Sequence, residues 1–343
     1  MGALLASSSL GVNIGVGLFA LALLIFSSDL AVKKFVGLAS YFNLSTTFMG
    51  MTVLSLATSI PEISAHLTAS VGILRGTLDY KIGSSIVLGA NIGSDVVQQT
   101  LIMAMVVFGA GTLYFRRYFL TKSMLPMIAT TLMCIILGWD RVYSRWDGLI
   151  LFGTFIAYTY YLFVDERKYF DKDAEKAEEE DQADVPQNGR QAAVYALMAL
   201  FAMALTILSA QFVLIITEKI VQTTGIGGSL IGVVTLGIAS ALPELTTAFS
   251  GVKNKAHGIS LGTLVGSNIT NPLVAIGGGA LVSTYWVPRP LVVWDLPWET
   301  LTGLLLWAIL WFRKGKLGKW GGVYLVCLYI YYISFRAIFF SVD

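Results

Sequence analysis

Residues 55–63 read SLATSIPEI, and residues 236–245 read LGIASALPEL. Each places a glutamate, Glu62 or Glu244, directly after a proline inside a long apolar run. A carboxylate at membrane depth costs roughly 3 kcal/mol on insertion scales, so it needs a partner there, such as an ion. The two glutamates are 182 residues apart, and their lead-ins run parallel, with Leu44, Gly50 and Leu56 opposite Ile226, Gly232 and Ile238. A second pair lies downstream: LGANIGSDVVQ at 88–98 matches LGTLVGSNITN at 261–271, at an offset of 173. Two motif pairs in the same order mark the chain as an internal duplication.

The chemistry follows from spacing within one helical turn. Thr58 and Ser59 stand four and three residues before Glu62, on the same helix face. Pro61 has no N–H to give the carbonyl of Ala57, so that oxygen is expected bare. The second half repeats the arrangement with Ser240, Pro243 and Glu244, and here Pro243 leaves the carbonyl of Ala239. Ala241 replaces the second hydroxyl, which makes the two halves pseudo-symmetric. Carboxylates, hydroxyls and carbonyls form an all-oxygen set suited to a hard cation. A proline kink with a buried acid would explain one such motif, but two at matching places point to a shared site.

The glycine-serine motifs supply further walls. Gly93 and Gly266 permit close helix approach, the common role of small residues in membranes. Ser94 with Gln98, and Ser267 with Asn271, lie four residues apart and face one way. They can ligate a cation without adding charge, or they can serve packing alone. Pro272 frees the carbonyl of Asn268. Two carboxylates suit one divalent or two monovalent cations, which favours exchange of Ca²⁺ for Na⁺ or H⁺. Both cysteines, Cys134 and Cys327, lie far from the motifs, so a thiolate site for zinc or copper is missing.

The rest of the chain agrees with a membrane setting. It is 56% hydrophobic and 13% charged, with a mean hydropathy of +0.73, whereas a soluble domain carries charge at about a quarter of its positions. The net charge of +2 gives no reason to expect a nucleic-acid partner; the partners expected are the lipid bilayer and inorganic cations. A span needs about 20 mainly apolar residues. That ruler predicts spans near 10–32, 44–74, 82–113, 119–139 and 146–164, then near 192–219, 226–252, 259–284, 290–312 and 319–341. The first lacks a basic leader and is read as retained. The expected class is an all-α membrane protein of ten transmembrane helices, arranged as two five-helix repeats. An odd number of spans per half turns the second repeat upside down, the inverted-repeat plan of secondary transporters.

The first repeat covers 1–164, with its motifs at 56–100, and the second covers 192–343, with its motifs at 236–273. Between them, 165–191 holds 10 of the 21 acidic residues and reads as a solvated cytoplasmic linker without EF-hand spacing. With the N-terminus outside, inner loops hold 16 of the 23 basic residues and outer loops six. Both termini are therefore predicted outside, in the plasma membrane.

Through these residues the chain resembles the sodium/calcium exchanger family of the cation/calcium exchanger superfamily. The resemblance spans the whole 5+5 layout and is most specific at the paired motifs. It implies ion ligands at Thr58, Ser59, Glu62, Ser94 and Gln98, and at Ser240, Glu244, Ser267 and Asn271. It also implies alternating access, with the first and sixth helices sliding across the others. There are departures. Sodium-coupled members often carry an acid at the position of Asn271 and an asparagine at that of Gln98. Asp95 stands where asparagine is usual, and His66 sits one turn after Glu62, where it could couple protons or simply bond within its helix. Those changes keep the related cation/proton exchanger branch in view.

Other readings are weighed on the same residues. A cation channel could use these ligands, but matched proline breaks favour gated transport. An intramembrane protease using a serine with His66 would leave the Glu244 repeat unexplained, so no enzyme is expected. Asp29 reads as a packing or hinge carboxylate. Asp295 and Glu299 read as interface residues near an outer mouth, level with an aromatic belt of Trp286, Trp294 and Trp298.

Overall fold

The computed structural model describes residues 10–41, 49–115, 117–169, 185–253 and 257–343. Leu44, Arg116, the acidic run at 170–184 and Lys255 lie outside the described residues, as do the side chains of Asp29 and His257.

The chain is built almost wholly of helices. The first half contains α1 (Leu10–Tyr41), α2 (Ser55–Thr58), α3 (Ile60–Leu74), α4 (Tyr80–Val97), α5 (Met103–Ala110), α6 (Leu125–Leu137) and α7 (Arg145–Tyr169). The second contains α8 (Gly189–Thr224), α9 (Gly237–Ser240), α10 (Leu242–Lys253), α11 (His257–Thr270), α12 (Gly277–Val282), α13 (Leu296–Phe312) and α14 (Lys319–Phe339). Among the described residues, six helices are long and apolar enough to cross a membrane by length and composition. In Tyr80–Ala110 the most apolar window is 78% buried; in Arg145–Val164 it is 17% buried. The first is therefore a central helix and the second a perimeter one.

Breaks and π-helical turns recur at matching places in the halves. The helix breaks at Ser59 (φ −78°, ψ 6°) and at Ala241 (φ −80°, ψ 0°), just before the two prolines. Met49–Leu54 and Gly232–Leu236 are π-helical, as are Gln98–Ile102 and Asn271–Ile276. Such wide turns free backbone groups and gather at functional sites.

Packing across the halves is reciprocal. A Cβ on Gly93 would lie 2.6 Å from the Cα of Val233, and one on Gly266 would lie 2.9 Å from the Cβ of Ser55 and 3.0 Å from the Met51 carbonyl. Each glycine-serine helix thus presses its bare face on the proline-motif segment of the other half. The close approach expected of both glycines is met.

Two short ladders depart from an all-helical expectation. Thr112–Tyr114 (β1) pairs antiparallel with Lys316–Gly318 (β4), and Val142–Tyr143 (β2) with Tyr285–Trp286 (β3). Each joins one half to the other, satisfying backbone groups where chain crosses between helices.

Outside this core, α1 and α8 lie along each other. Ser27 and Thr206 hydroxyls are 2.9 Å apart, Gly17 meets Ile216, and the Lys34 ammonium sits 4.1 Å over the Tyr195 ring. At 32 and 36 residues these helices run about 48 and 54 Å, more than a bilayer core, so they must tilt or protrude.

Candidate functional site

Glu62 and Glu244 start α3 and α10, each one turn past its helix break, and both are buried at 3% and 0% exposure. The Ser94 hydroxyl, on α4, donates to Glu62 Oε1 at 2.7 Å. The Ser240 hydroxyl, from the other half, also faces Glu62. Glu244 is faced in mirror fashion by Ser267 from its own half and Thr58 from the other. Thr58 and Ser267 oxygens are 3.1 Å apart. Spacing along one helix put Thr58 with Glu62, yet the kink at Ser59 turns it toward the opposite glutamate.

Amides close the far side. Gln98 Nε2 donates to Ser94 Oγ at 3.1 Å, and its Oε1 accepts from Asn268 Nδ2 at 3.0 Å. Asn271 Nδ2 donates to Asp95 Oδ1 at 2.6 Å. Gln98 therefore bridges the halves and keeps no free oxygen, while Asn271 keeps its own Oδ1. Gln99 reaches Asn268 at 2.8 Å, and Asn91 reaches the Asn271 carbonyl at 3.3 Å. At the first kink the Ser59 N–H donates to the Ser55 carbonyl at 3.0 Å, two residues before Ala57.

The surplus of buried acceptors defines the site. Ser59 Oγ, Glu62 Oε2, both Glu244 oxygens, Asn91 Oδ1 and Asn271 Oδ1 have no hydrogen-bond partner. Leaving several such atoms buried and unmatched is costly, and carboxylates most of all. Among the described residues no lysine or arginine pairs with Glu62 or Glu244. Nor do three or more His, Cys, Asp or Glu side chains gather as a preformed cluster. Two carboxylates ringed by neutral oxygens can satisfy one another only through a shared cation or donor.

A cleft leads to Glu62. It is lined by Leu21 and Leu24 of α1, Val213 of α8, and by His66, Asn91 and Ser240. His66 Nδ1 lies 3.1 Å from the Tyr285 hydroxyl, and its Nε2 is unpartnered. Ser70 also meets that hydroxyl at 2.6 Å.

The reading of Asp295 and Glu299 as residues of an outer mouth is corrected, since both are buried, at 0% and 2% exposure. Asp295 pairs with Arg336 at 2.9 Å and accepts from Tyr332 at 2.6 Å. Glu299 accepts from Thr131 at 2.8 Å. Trp294 and Trp298 stack on each other at 5.2 Å and pack against Phe335 and Tyr331 of α14. Trp286 lies beneath Arg141 and Lys81, 5.1 and 5.5 Å over its ring.

Sequence reasoning did not single out Asn91 or Gln99, gave Asn268 only its carbonyl, and read Glu299 as an interface residue. Glu299 carried a usable signal, an acid one turn into an apolar span. The amides carried none beyond their proximity to the motifs.

With this geometry in view, the family model described as sodium/calcium exchanger protein matches residues 12–164 and 194–338. The chain belongs to the sodium/calcium exchanger protein family. Its members include relatives of near-equal length. The sodium/calcium exchanger MaX1 of Methanosarcina acetivorans is 22% identical over 369 residues, covering 96% of this chain and 99% of that one. Inner membrane protein YrbG of Escherichia coli is 24% identical over 320 residues, covering 92% and 93%. A solved structure of the sodium-calcium exchanger NCX_Mj superposes with a TM-score of 0.62 at 23% identity, over 94% of this chain and 98% of that one. That likeness speaks to the fold. Family membership and apolar helices together make this exchanger-family chain a multi-pass membrane transporter rather than a catalyst.

Proposed function

We propose that this protein exchanges Ca²⁺ for Na⁺ across a membrane by alternating access, holding the ions between Glu62 and Glu244. The observation that carries the reading is the pair of buried carboxylates whose free oxygens lack any basic partner and are ringed by neutral oxygens. Their summed charge matches one divalent cation or two monovalent ones. Ligands would come from Ser59, Ser94, Ser240, Ser267, Thr58 and the Asn271 side-chain oxygen Oδ1, with the Ala57 and Ala239 carbonyls at the kinks. Gln98 and Asp95 would hold the amides in register.

The matched breaks, π turns and reciprocal glycine contacts support two inverted five-helix repeats of ten spans in all. The α1–α8 pair, bonded to itself and lining the cleft to Glu62, fits the element that slides. We place both termini outside the plasma membrane and the acidic segment inside. Calcium/sodium exchange is also what the printed name of MaX1 states for that relative.

A second reading is exchange of Ca²⁺ for H⁺ at the same site, favoured by one observation: His66, with an unpartnered Nε2, lines the cleft beside Glu62. Proteoliposomes separate the two. Uptake of ⁴⁵Ca²⁺ is measured with outward Na⁺ and outward H⁺ gradients imposed in turn. Uptake under the sodium gradient alone is the expected result, uptake under the proton gradient alone selects the second reading, and uptake under neither sinks both.

A further inference from the structure

A second group of buried oxygens lies behind the amides, away from the Glu62–Glu244 pair. Asp95 and Gln99 are one turn apart at the end of α4 and the start of its π turn. Glu299 and Gly303 are one turn apart on α13, which packs against α4 and that π turn. The unpartnered oxygen of Gln99 lies beside Gly303: a Cβ built there would be 3.5 Å from Gln99 Oε1. Gln99 is 3% exposed, so this oxygen has no solvent to turn to. Thr131 on α6 closes the third side through its hydroxyl on Glu299. Each carboxylate has one neutral donor, Asn271 or Thr131, and among the described residues neither has a basic partner. By contrast Asp295, four residues before Glu299, is fully matched by Arg336 and Tyr332.

We infer that Asp95, Gln99, Thr131 and Glu299 form an accessory cation site, and that its occupant is Na⁺. The inference rests on the cation-exchange reading above. Two carboxylates without counter-charge call for a positive ion, and an oxygen-only shell calls for a hard one. Calcium takes six to eight oxygens; here one oxygen of each carboxylate already accepts from Asn271 or Thr131, which leaves four side-chain oxygens, a set that suits a small monovalent ion. Asp95 ties the pocket to the central site through Asn271, whose amide bonds Asp95 while its oxygen faces the unmatched acceptors. An ion here would neutralise Asp95 and steady the amide that borders the transported ion.

The test is equilibrium binding of ²²Na⁺ and ⁴⁵Ca²⁺ to the purified full chain, comparing wild type with Glu299→Gln and Thr131→Val. Sodium bound at saturation is expected to fall by about one ion per chain in Glu299→Gln. The half-saturating sodium concentration should rise several-fold in Thr131→Val, and the calcium bound at saturation should be unchanged in both. An unchanged sodium count in monodisperse Glu299→Gln overturns the site. If that variant aggregates, unchanged sodium affinity in Thr131→Val does the same. Loss of calcium binding with sodium intact overturns sodium as the occupant. Absence of ⁴⁵Ca²⁺ binding by wild type would sink the exchange reading, while the sodium count would still decide this one.

Discussion

Ser94 and Glu62, on neighbouring helices, meet through a hydroxyl donating to a carboxylate oxygen at 2.7 Å, while the second oxygen of that carboxylate stays unmatched. One oxygen is positioned and the other is left for a guest. Ser94 is itself held by Gln98, and Gln98 by Asn268 of the other half, so the position of Glu62 is set from both halves of the chain.

Replacing Glu62 or Glu244 by Gln should remove calcium uptake while leaving the protein monodisperse. The amide keeps the shape but halves the charge that meets a divalent ion. Truncating a buried charged partner costs about 2–5 kcal/mol, or roughly 30-fold or more in affinity. Initial ⁴⁵Ca²⁺ uptake against calcium concentration checks it. Full uptake in either variant would remove the glutamates from the site.

Ser94→Ala should weaken calcium without abolishing transport. A hydrogen bond to a charged group contributes about 1.5–3 kcal/mol, so a loss of roughly tenfold to a hundredfold in apparent affinity is expected. Ser240→Ala should also weaken it, since Ser240 faces the same glutamate from the other half. Apparent affinities for the two variants, measured side by side, decide whether both halves serve Glu62.

Much of this was legible before any coordinates. Two glutamates after prolines, in apolar runs, announced a membrane chain with paired buried acids, and Gly93 and Gly266 announced close approach. What the sequence could not show was which partner lies across a helix interface. Spacing reports neighbours three or four residues away on one helix. It says nothing of Thr58 turning to Glu244, or of Glu299 meeting Thr131, 168 positions distant. Asp295 and Glu299 look alike in sequence, yet one is matched by Arg336 and the other is not. The π turns were hidden for a related reason: widening a turn is a response to packing against another helix, and no local residue pattern demands it.

Gly93→Ala should destabilise more than Gly266→Ala. The added methyl meets the Val233 backbone at 2.6–2.7 Å in the first case, and in the second the Ser55 side chain at 2.9 Å with the Met51 carbonyl at 3.0 Å. Neither backbone nor a Cβ fixed to it can swing aside, so the deeper overlap at Gly93 decides the order. Overpacking of this kind costs about 1–3 kcal/mol. Thermal unfolding followed by size-exclusion chromatography should rank the melting temperatures wild type, Gly266→Ala, Gly93→Ala in descending order. The reverse order would mean that the α4 contact is the softer one.

The buried Arg336–Asp295 pair offers a stability test that should leave ion affinity alone. Arg336 also donates to Ser229 at 2.5 Å, and Ser229 bonds Asp343, so one guanidinium ties α14 to the start of α13 and to the segment before α9. Arg336→Met strands Asp295 as an unpaired charge, and removing one partner of a buried pair costs about 3–5 kcal/mol. Adding Asp295→Asn takes the stranded charge away, so the double variant should recover part of that loss. A double-mutant cycle on melting temperature reads the coupling, and ⁴⁵Ca²⁺ binding to whatever remains folded should match wild type. Additive losses would show that the pair contributes packing and no mutual attraction.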